Sequence, residues 1–346
     1  MKPLPLPAVR VLALLATTFL SGDLVPALAQ EGQSTTFTAP PRTISDITAI
    51  LESEKPDPAK RGRLEKEADA TPAKGASRSA LSQFYYKRAQ ARAELGRFAD
   101  AIADCQASIE HSTDYVAEGS RAEQLMEGQL RLSGEYKRAI ALLEQISRKL
   151  DTYPRTKGRQ FTLLYRLTLN HLHIGDLARA EAYLRKNQAL LAESRSWPNV
   201  EMYRSAWEAT AEASKARLFE ARGRLAEAEA SYIRHGALLH DAMAKSKSWP
   251  NPPAPGGYAS QIDYNHSHLG RVKTKLGRVT EGEVDVRRAL LGRLRAVGKY
   301  NTDTANMIST LVFQLIEQSR HGEAEKLLRS NLEIWEALGY VKDSGP

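Results

Sequence analysis

The chain has 346 residues, with 49 Lys and Arg against 41 Asp and Glu, a formal charge of +8 and a single cysteine. One cysteine excludes a disulfide framework, and a positive balance diluted by so many acids serves solubility without designating a nucleic-acid partner. A chain this long exceeds the usual size of one hydrophobic core, which an array growing along one axis escapes.

Residues 1–29 have the form of a signal peptide. Lys2 and Arg10 supply a positive start, Val11 to Leu20 is an apolar run, and Ala27-Leu28-Ala29 offers small residues for cleavage before Gln30. The run is about half the roughly 20 residues a membrane-spanning helix needs. The expectation is a protein exported to the periplasm or secreted after cleavage following Ala29, with no membrane insertion. Residues 30–42 are polar and contain proline, as in a flexible leader.

Residues 43–77 read as an N-terminal cap hairpin and linker. Thr43 to Asp46 is a capping-box pattern, Ile47, Ile50 and Leu51 form an apolar stripe, and Asp57-Pro58 starts a second, mostly charged helix. A charged outer helix suits the end of an array, where one face must meet water.

From residue 78 to residue 338 one pattern recurs. Leu95-Gly96-Arg97-Phe98 separates two amphipathic stretches and is followed by Ala101 and Cys105. Equivalent hinges lie at Gly134 before Ala139, Gly175 before Ala180, Gly223 before Ala228 and Gly277 before Gly282. In a last copy, Ser319 replaces glycine before Ala324. Glycine permits the tight turn, and the small residue five positions on lets two helices approach. The paired helices are predicted over 80–95 with 98–111, 115–132 with 136–150, 158–174 with 177–194, 200–222 with 225–246, 260–276 with 279–297, and 302–318 with 322–337. Residues 339–346 form a tail.

These hinges, with Ala101/Cys105, Ala139/Leu143, Ala180/Leu184, Ala228/Tyr232 and Ala324/Leu328, resemble the tetratricopeptide repeat (TPR) family. Hinge-to-hinge spacings of 38, 41, 48, 54 and 42 residues exceed that family's period of about 34. The resemblance implies an all-α, right-handed superhelical solenoid of antiparallel helix pairs, about six repeats after the N-terminal hairpin. It also implies that the first helix of each pair lines a concave groove. Counted back from the hinges, the family's contact positions fall on Tyr86, Gln90, Gln124, Arg131, Tyr165, His173, Arg217, Tyr264, Arg271 and Lys275. Guanidinium and ammonium groups among tyrosines favour an extended acidic peptide or a carboxylate terminus.

No catalytic motif accompanies the repeats. His171/His173 and His266/His268 are two apart on helices, so each pair points to nearly opposite faces and cannot share a metal. The carboxylates Glu123/Glu127 and Glu281/Glu283/Asp285 lie among arginines, as on a solvated helix surface. Cys105 takes an inward position as a small hydrophobe. The expectation is a non-enzymatic module without cofactor or metal that binds a protein or peptide.

Three further features stand out. Trp197 and Trp249 occupy nearly identical Ser-Arg/Lys-Ser-Trp-Pro-Asn hexads, packing over hairpin ends or, alternatively, forming an aromatic edge that contacts a partner or polysaccharide. Leu327, Leu328, Leu332, Ile334, Trp335 and Leu338 leave the last helix apolar without a following cap, which points to self-association. The leader, the hinge spacing and the last copy also resemble the exported TPR region that precedes CHAT (caspase-like peptidase) domains in bacterial proteins. On that alternative the chain is a recognition half, or a truncated relative, without its catalytic domain.

Overall fold

The computed structural model describes residues 39–339, except 153–156, 251–252 and 254–255, and leaves the side chains of 116–117 aside. The signal-peptide segment, most of the leader, the tail beyond residue 339 and part of the proline-rich insertion after Trp249 lie outside the described residues.

Among the described residues there are fourteen α-helices and no strand. The first two are α1 (Ser45–Ser53) and α2 (Pro58–Ala68). They are followed by α3 (Arg78–Glu94) with α4 (Phe98–His111), α5 (Ser120–Leu132) with α6 (Tyr136–Leu150), and α7 (Arg159–His173) with α8 (Leu177–Ser194). Then come α9 (Val200–Ala221) with α10 (Leu225–Ser246), α11 (Gly257–Lys275) with α12 (Val279–Val297), and α13 (Thr302–Glu317) with α14 (His321–Ala337). A π-helical turn, Tyr115–Gly119, leads into α5. From α3 onward the expected helix ends fall within a few residues of these bounds. The fold is an all-α, TPR-like solenoid.

The hinges work as their residues dictate. Gly96, Gly134, Gly175, Gly223 and Gly277 all adopt positive φ between 72° and 82°. In the first copy the Arg97 N–H donates to Arg92 O at 2.9 Å, closing the last turn of α3 by a bond that needs the intervening left-handed residue. Ser319 takes the same conformation, φ 58°, and the Arg320 N–H likewise reaches Leu315 O at 2.9 Å. The small residues past the hinges are buried: Ala101, Ala139, Ala180 and Ala228 have no exposure. The tightest crossing is α11 on α12, where a Cβ at Gly270 would stand 2.5 Å from Gly282 O and one at Gly282 would stand 2.6 Å from Gly270 O.

The N-terminal hairpin does more than cap one end. Ile44, Ile47 and Leu51 are buried in the same core as Val286 and Leu290 of α12, Leu311 and Leu315 of α13, and Leu327 and Ile334 of α14. An ion network fixes this seat. Arg287, nearly fully buried, donates to Glu283 at 2.8 Å, to Asp46 at 3.0 Å and to Thr43 O at 2.8 Å. Arg320 donates to Glu283 at 2.9 Å, and the Ile44 N–H donates to Glu323 at 3.0 Å. Glu54 accepts the Lys299 N–H at 2.8 Å.

From there α2 reaches the first repeat. Arg88 and Arg92 of α3 donate to Ala70 O and Ala68 O at 2.8 and 3.0 Å, and Arg97 pairs with Asp69 at 2.7 Å. Arg61 donates to Ala337 O at 2.7 Å, and a Cβ on Gly339 would lie 3.1 Å from Leu95 O. The last repeat therefore returns to the first hinge, with α1 and α2 bridging the two.

Two expectations change here. The apolar end of α14 is covered, because Leu327 and Ile334 are buried under α1 and Trp335 and Leu338 pack at its margin; Leu328 and Leu332 remain exposed. Of the carboxylates taken for solvated surface, Glu123, Glu127, Glu283 and Asp285 are buried, and each has a cation or a hydroxyl as partner within its helix pair or on a neighbouring one. Glu123 accepts from Tyr115 Oη and Lys149 Nζ, both at 2.7 Å, and Glu127 from Arg166 at 3.0 Å and Asn170 at 3.1 Å. Asp285 accepts from Lys273 at 2.7 Å. Glu281 stays on the surface beside Arg278.

Ser319 holds a left-handed conformation that costs an L-residue about 1 kcal/mol or more. Ser319→Gly should therefore raise stability by about 1 kcal/mol, read as a higher urea midpoint with an unchanged slope. An equal or lower midpoint would show that the serine hydroxyl contributes something the backbone geometry does not reveal.

Candidate functional site

Of the ten expected contact residues, His173, Arg217, Arg271 and Lys275 line one cavity. Arg131 of α5 and Arg217 of α9 both act electrostatically on Tyr165 and His173 of α7, and Arg131 acts also on Tyr264 of α11. α5 and α9 thus both reach α7, and α5 also reaches α11. Tyr165 is half-buried, and burial raises its phenol. His173 stacks on Tyr136, with ring centroids 4.8 Å apart. Burial first, then Arg217 and Arg131, lowers its pKa and keeps it neutral.

The floor of this region is a cavity of about 190 Å³ lined by Leu172, His173, Arg217, Glu220, Ala221, Arg271 and Lys275. Its centre is Glu220, which the sequence did not single out. Arg271 grips it with two bonds of 2.8 Å, Lys275 donates at 3.0 Å, Tyr232 Oη at 3.0 Å, and Arg217 stands 3.7 Å away. Burial would raise the Glu220 carboxyl, but Arg271, Arg217 and Lys275 outweigh burial and hold it ionised. Of the four cations expected to receive a ligand carboxylate, Arg271 and Lys275 are therefore engaged by an internal one. Arg217 is held more loosely, 3.5 Å from His268 Nδ1. His268 is pushed well below the ordinary histidine range by burial, then by Arg217 and Arg271.

The remaining candidates lie elsewhere. Tyr86 is half-buried with Arg121 over its ring at 5.7 Å, and Gln90 is exposed. Gln124 is exposed at the mouth of a different cavity. Tyr264 donates to Asp303 at 2.6 Å. The two tryptophans sit in a run of packed rings: Trp197 lies against Phe161 and Trp207, and Trp249 against Tyr203 and Tyr258. The Trp249 indole N–H donates to Met202 O at 3.1 Å. Each half-buried indole thus closes a hairpin end as a packing element.

The histidine pairs diverge as their spacing requires. His171 is buried against Tyr183 while His173 faces the interior; His266 turns to Asp285 and His268 to Arg217. Among the described residues no three His, Cys, Asp or Glu converge as a metal set, and no helix is long and apolar enough to cross a membrane. Cys105 has no exposure, and burial raises its thiol to about 12, so it remains protonated.

Among solved structures, the fold is similar to that of RapI in its apo form, with 11% identity, 85% of this chain and 94% of that chain covered, and a TM-score of 0.50. A tetratricopeptide repeat protein from Parabacteroides merdae shares 13% identity over 87% of this chain and 93% of that one, TM-score 0.47. A Rap protein complexed with competence and sporulation factor shares 12% identity over 84% and 83%, TM-score 0.49. At these identities the likeness concerns the fold alone. No family model and no curated protein matches the sequence.

His235, hydrogen-bonded to Asn265 Oδ1 at 2.9 Å, is lowered by burial from 6.5 to about 4. A histidine depressed in the folded state stabilises the fold above the unfolded value, and that contribution is lost as pH falls toward the folded one. Between pH 6.5 and 5 the parent should lose about 2 kcal/mol that His235→Gln does not lose. Urea titrations at both pH values read the difference, and parallel losses would contradict it.

Proposed function

We propose that this protein is a non-enzymatic interaction scaffold, exported before it acts, whose interior binds an extended, carboxylate-bearing segment of a partner protein. The observation that carries the reading is that His173 of α7 and Arg217 of α9 line one cavity, with Arg131 of α5 and Tyr165 close enough to act on them electrostatically. Tyrosine and neutral imidazole offer flat, partly apolar platforms with polar tips. The two guanidiniums supply charge-assisted donors that match a carboxylate. Cys105 as a buried thiol and the engaged Glu220 carboxylate leave this surface suited to recognition and not to bond making. The net charge of +8 assists capture of an acidic segment over distance.

The internal pairing around Glu220 divides the cations by role. Arg271 and Lys275 hold α11 to α9, whereas Arg131 and Arg217 are the ones positioned to meet a ligand. Affinity capture from cell-envelope extract, read by mass spectrometry, should retain a partner on the parent protein. The double variant Arg131→Ala/Arg217→Gln should weaken it by up to about thirtyfold, each charge contributing about 1 kcal/mol or less. Arg271→Ala should instead lower the unfolding midpoint, because it strips Glu220 of its two-bond partner. Retention by the double variant at parental strength would remove the interior from the reading.

A further inference from the structure

A second cavity lies on the same helix as this surface. It has a volume of about 180 Å³, opens between the N-terminal ends of α5 and α7, and is floored by Leu143, Ile146 and Leu150 of α6 and by Leu163. All four floor residues are less than a tenth exposed. At the mouth stand Gln124, Thr162 and Arg159, each exposed, with Arg159 donating to Ser120 Oγ at 3.1 Å.

We propose that this cavity is the anchor pocket for one large apolar side chain of the bound segment, placed about five residues from its acidic part. The proposal rests on the reading of the interior as a peptide-binding surface and adds what that surface selects. The four aliphatic side chains at its floor favour an apolar group, while Tyr115, Ser120 and Arg166, the last held by Glu127 at 3.0 Å, complete its walls. Its size suits a leucine or phenylalanine, since an apolar cavity of about 150 Å³ accommodates a benzene ring. Water-lined surface is removed from both partners when such a side chain enters.

The spacing follows from helix geometry. Thr162 and His173 are eleven residues apart on α7, about three full turns, so both face the same way. At about 1.5 Å rise per residue they are separated by about 16 Å, which an extended peptide at about 3.3 Å per residue covers in about five residues. On the neighbouring α5, Gln124 at the cavity mouth and Arg131 at the cationic end are seven residues apart and share a face. The two helices therefore present the same order of features, an apolar pit and then a polar side chain of the interior, His173 on α7 and Arg131 on α5. Arg159 at the mouth adds positive charge and selects against a basic residue beside the anchor.

The probes are fluorescein-labelled nonapeptides in a Ser/Gly background. Each carries three aspartates at one end and a leucine placed two to seven residues away, and a serine replaces the leucine in the control. Fluorescence anisotropy at low salt, with the full chain, reads the affinities. The leucine peptide spaced by about five residues should bind about tenfold to a hundredfold more tightly than its serine control. Thr162→Trp, which fills the exposed mouth without touching the core, should erase that difference while leaving the serine control's affinity unchanged. Arg131→Ala/Arg217→Gln should weaken leucine and serine peptides by the same factor.

Binding that depends on Arg131 and Arg217 but ignores the leucine, or survives Thr162→Trp with the leucine advantage intact, would overturn the anchor pocket and leave the interior reading standing. Binding lost only in Thr162→Trp, and untouched by the arginine double variant, would keep the pocket and overturn the acidic spacing. Absence of binding by every peptide would overturn both the pocket and the reading on which it rests.

Discussion

The buried guanidinium of Arg287 is the contact on which the arrangement turns. It lies within the last repeats, yet it reaches Asp46 and Thr43 O from a segment more than 240 residues earlier, while its own helix partner Glu283 also holds Arg320. A cation taken from water is costly unless every donor is met, and here carboxylates and a backbone oxygen meet them. Because the partners come from α1 and the segment just before it as well as from α12, that satisfaction exists only when α1 is seated. Ile44, Ile47 and Leu51 then bury their side chains beneath α14, and Glu54 ties the start of the next turn. An open array needs a polar cap at each end; this one uses a single hairpin to cover its last repeat and adjoin its first.

The same logic runs along the array. Glu123 and Asp285 are answered within their own helix pair by Lys149 and Lys273, and Glu127 and Glu220 across a repeat boundary by Arg166 and Arg271. Ion pairs of this kind contribute less to net stability than the apolar seams do, but they penalise misregistry, since a shifted helix would leave a buried charge without its partner. In the interior they have a functional consequence. By engaging Arg271 and Lys275, Glu220 leaves the loosely held Arg217 and the exposed Arg131 as the cations addressing the space lined by Tyr165 and His173. The charge on offer is thereby concentrated near α7, the helix that also carries the apolar pit.

Much of the fold was written in local chemistry. Left-handed glycines, the small residue five positions on and the apolar period set helix ends that the structure matches closely, and even Ser319 adopts the conformation its place in the pattern demands. The resemblance named His173, Arg217, Arg271 and Lys275, which the structure gathers around one cavity, but not Glu220 at its centre. What remained unreadable depends on residues far apart in sequence. Glu283 beside Arg287 looks like a solvated surface pair until α1 covers it, and Leu327 and Ile334 look like an uncovered end for the same reason. Glu220 is a lone acid near the end of α9, and only the approach of α11 makes it the hub of three cations.

The central claim is that the N-terminal hairpin closes the array by seating α1 on the last repeat. Spin labels at the exposed positions Asp100 on α4 and Glu336 on α14, as Asp100→Cys/Glu336→Cys in a Cys105→Ala background, report the distance between first and last repeats directly by pulsed electron resonance. The account predicts a single short, narrow distance in this protein, and a longer, broader one when Ile47→Asp forces a charge into the fully buried α1 seat. A broad distribution before the substitution, or a distance that Ile47→Asp leaves untouched, would contradict it.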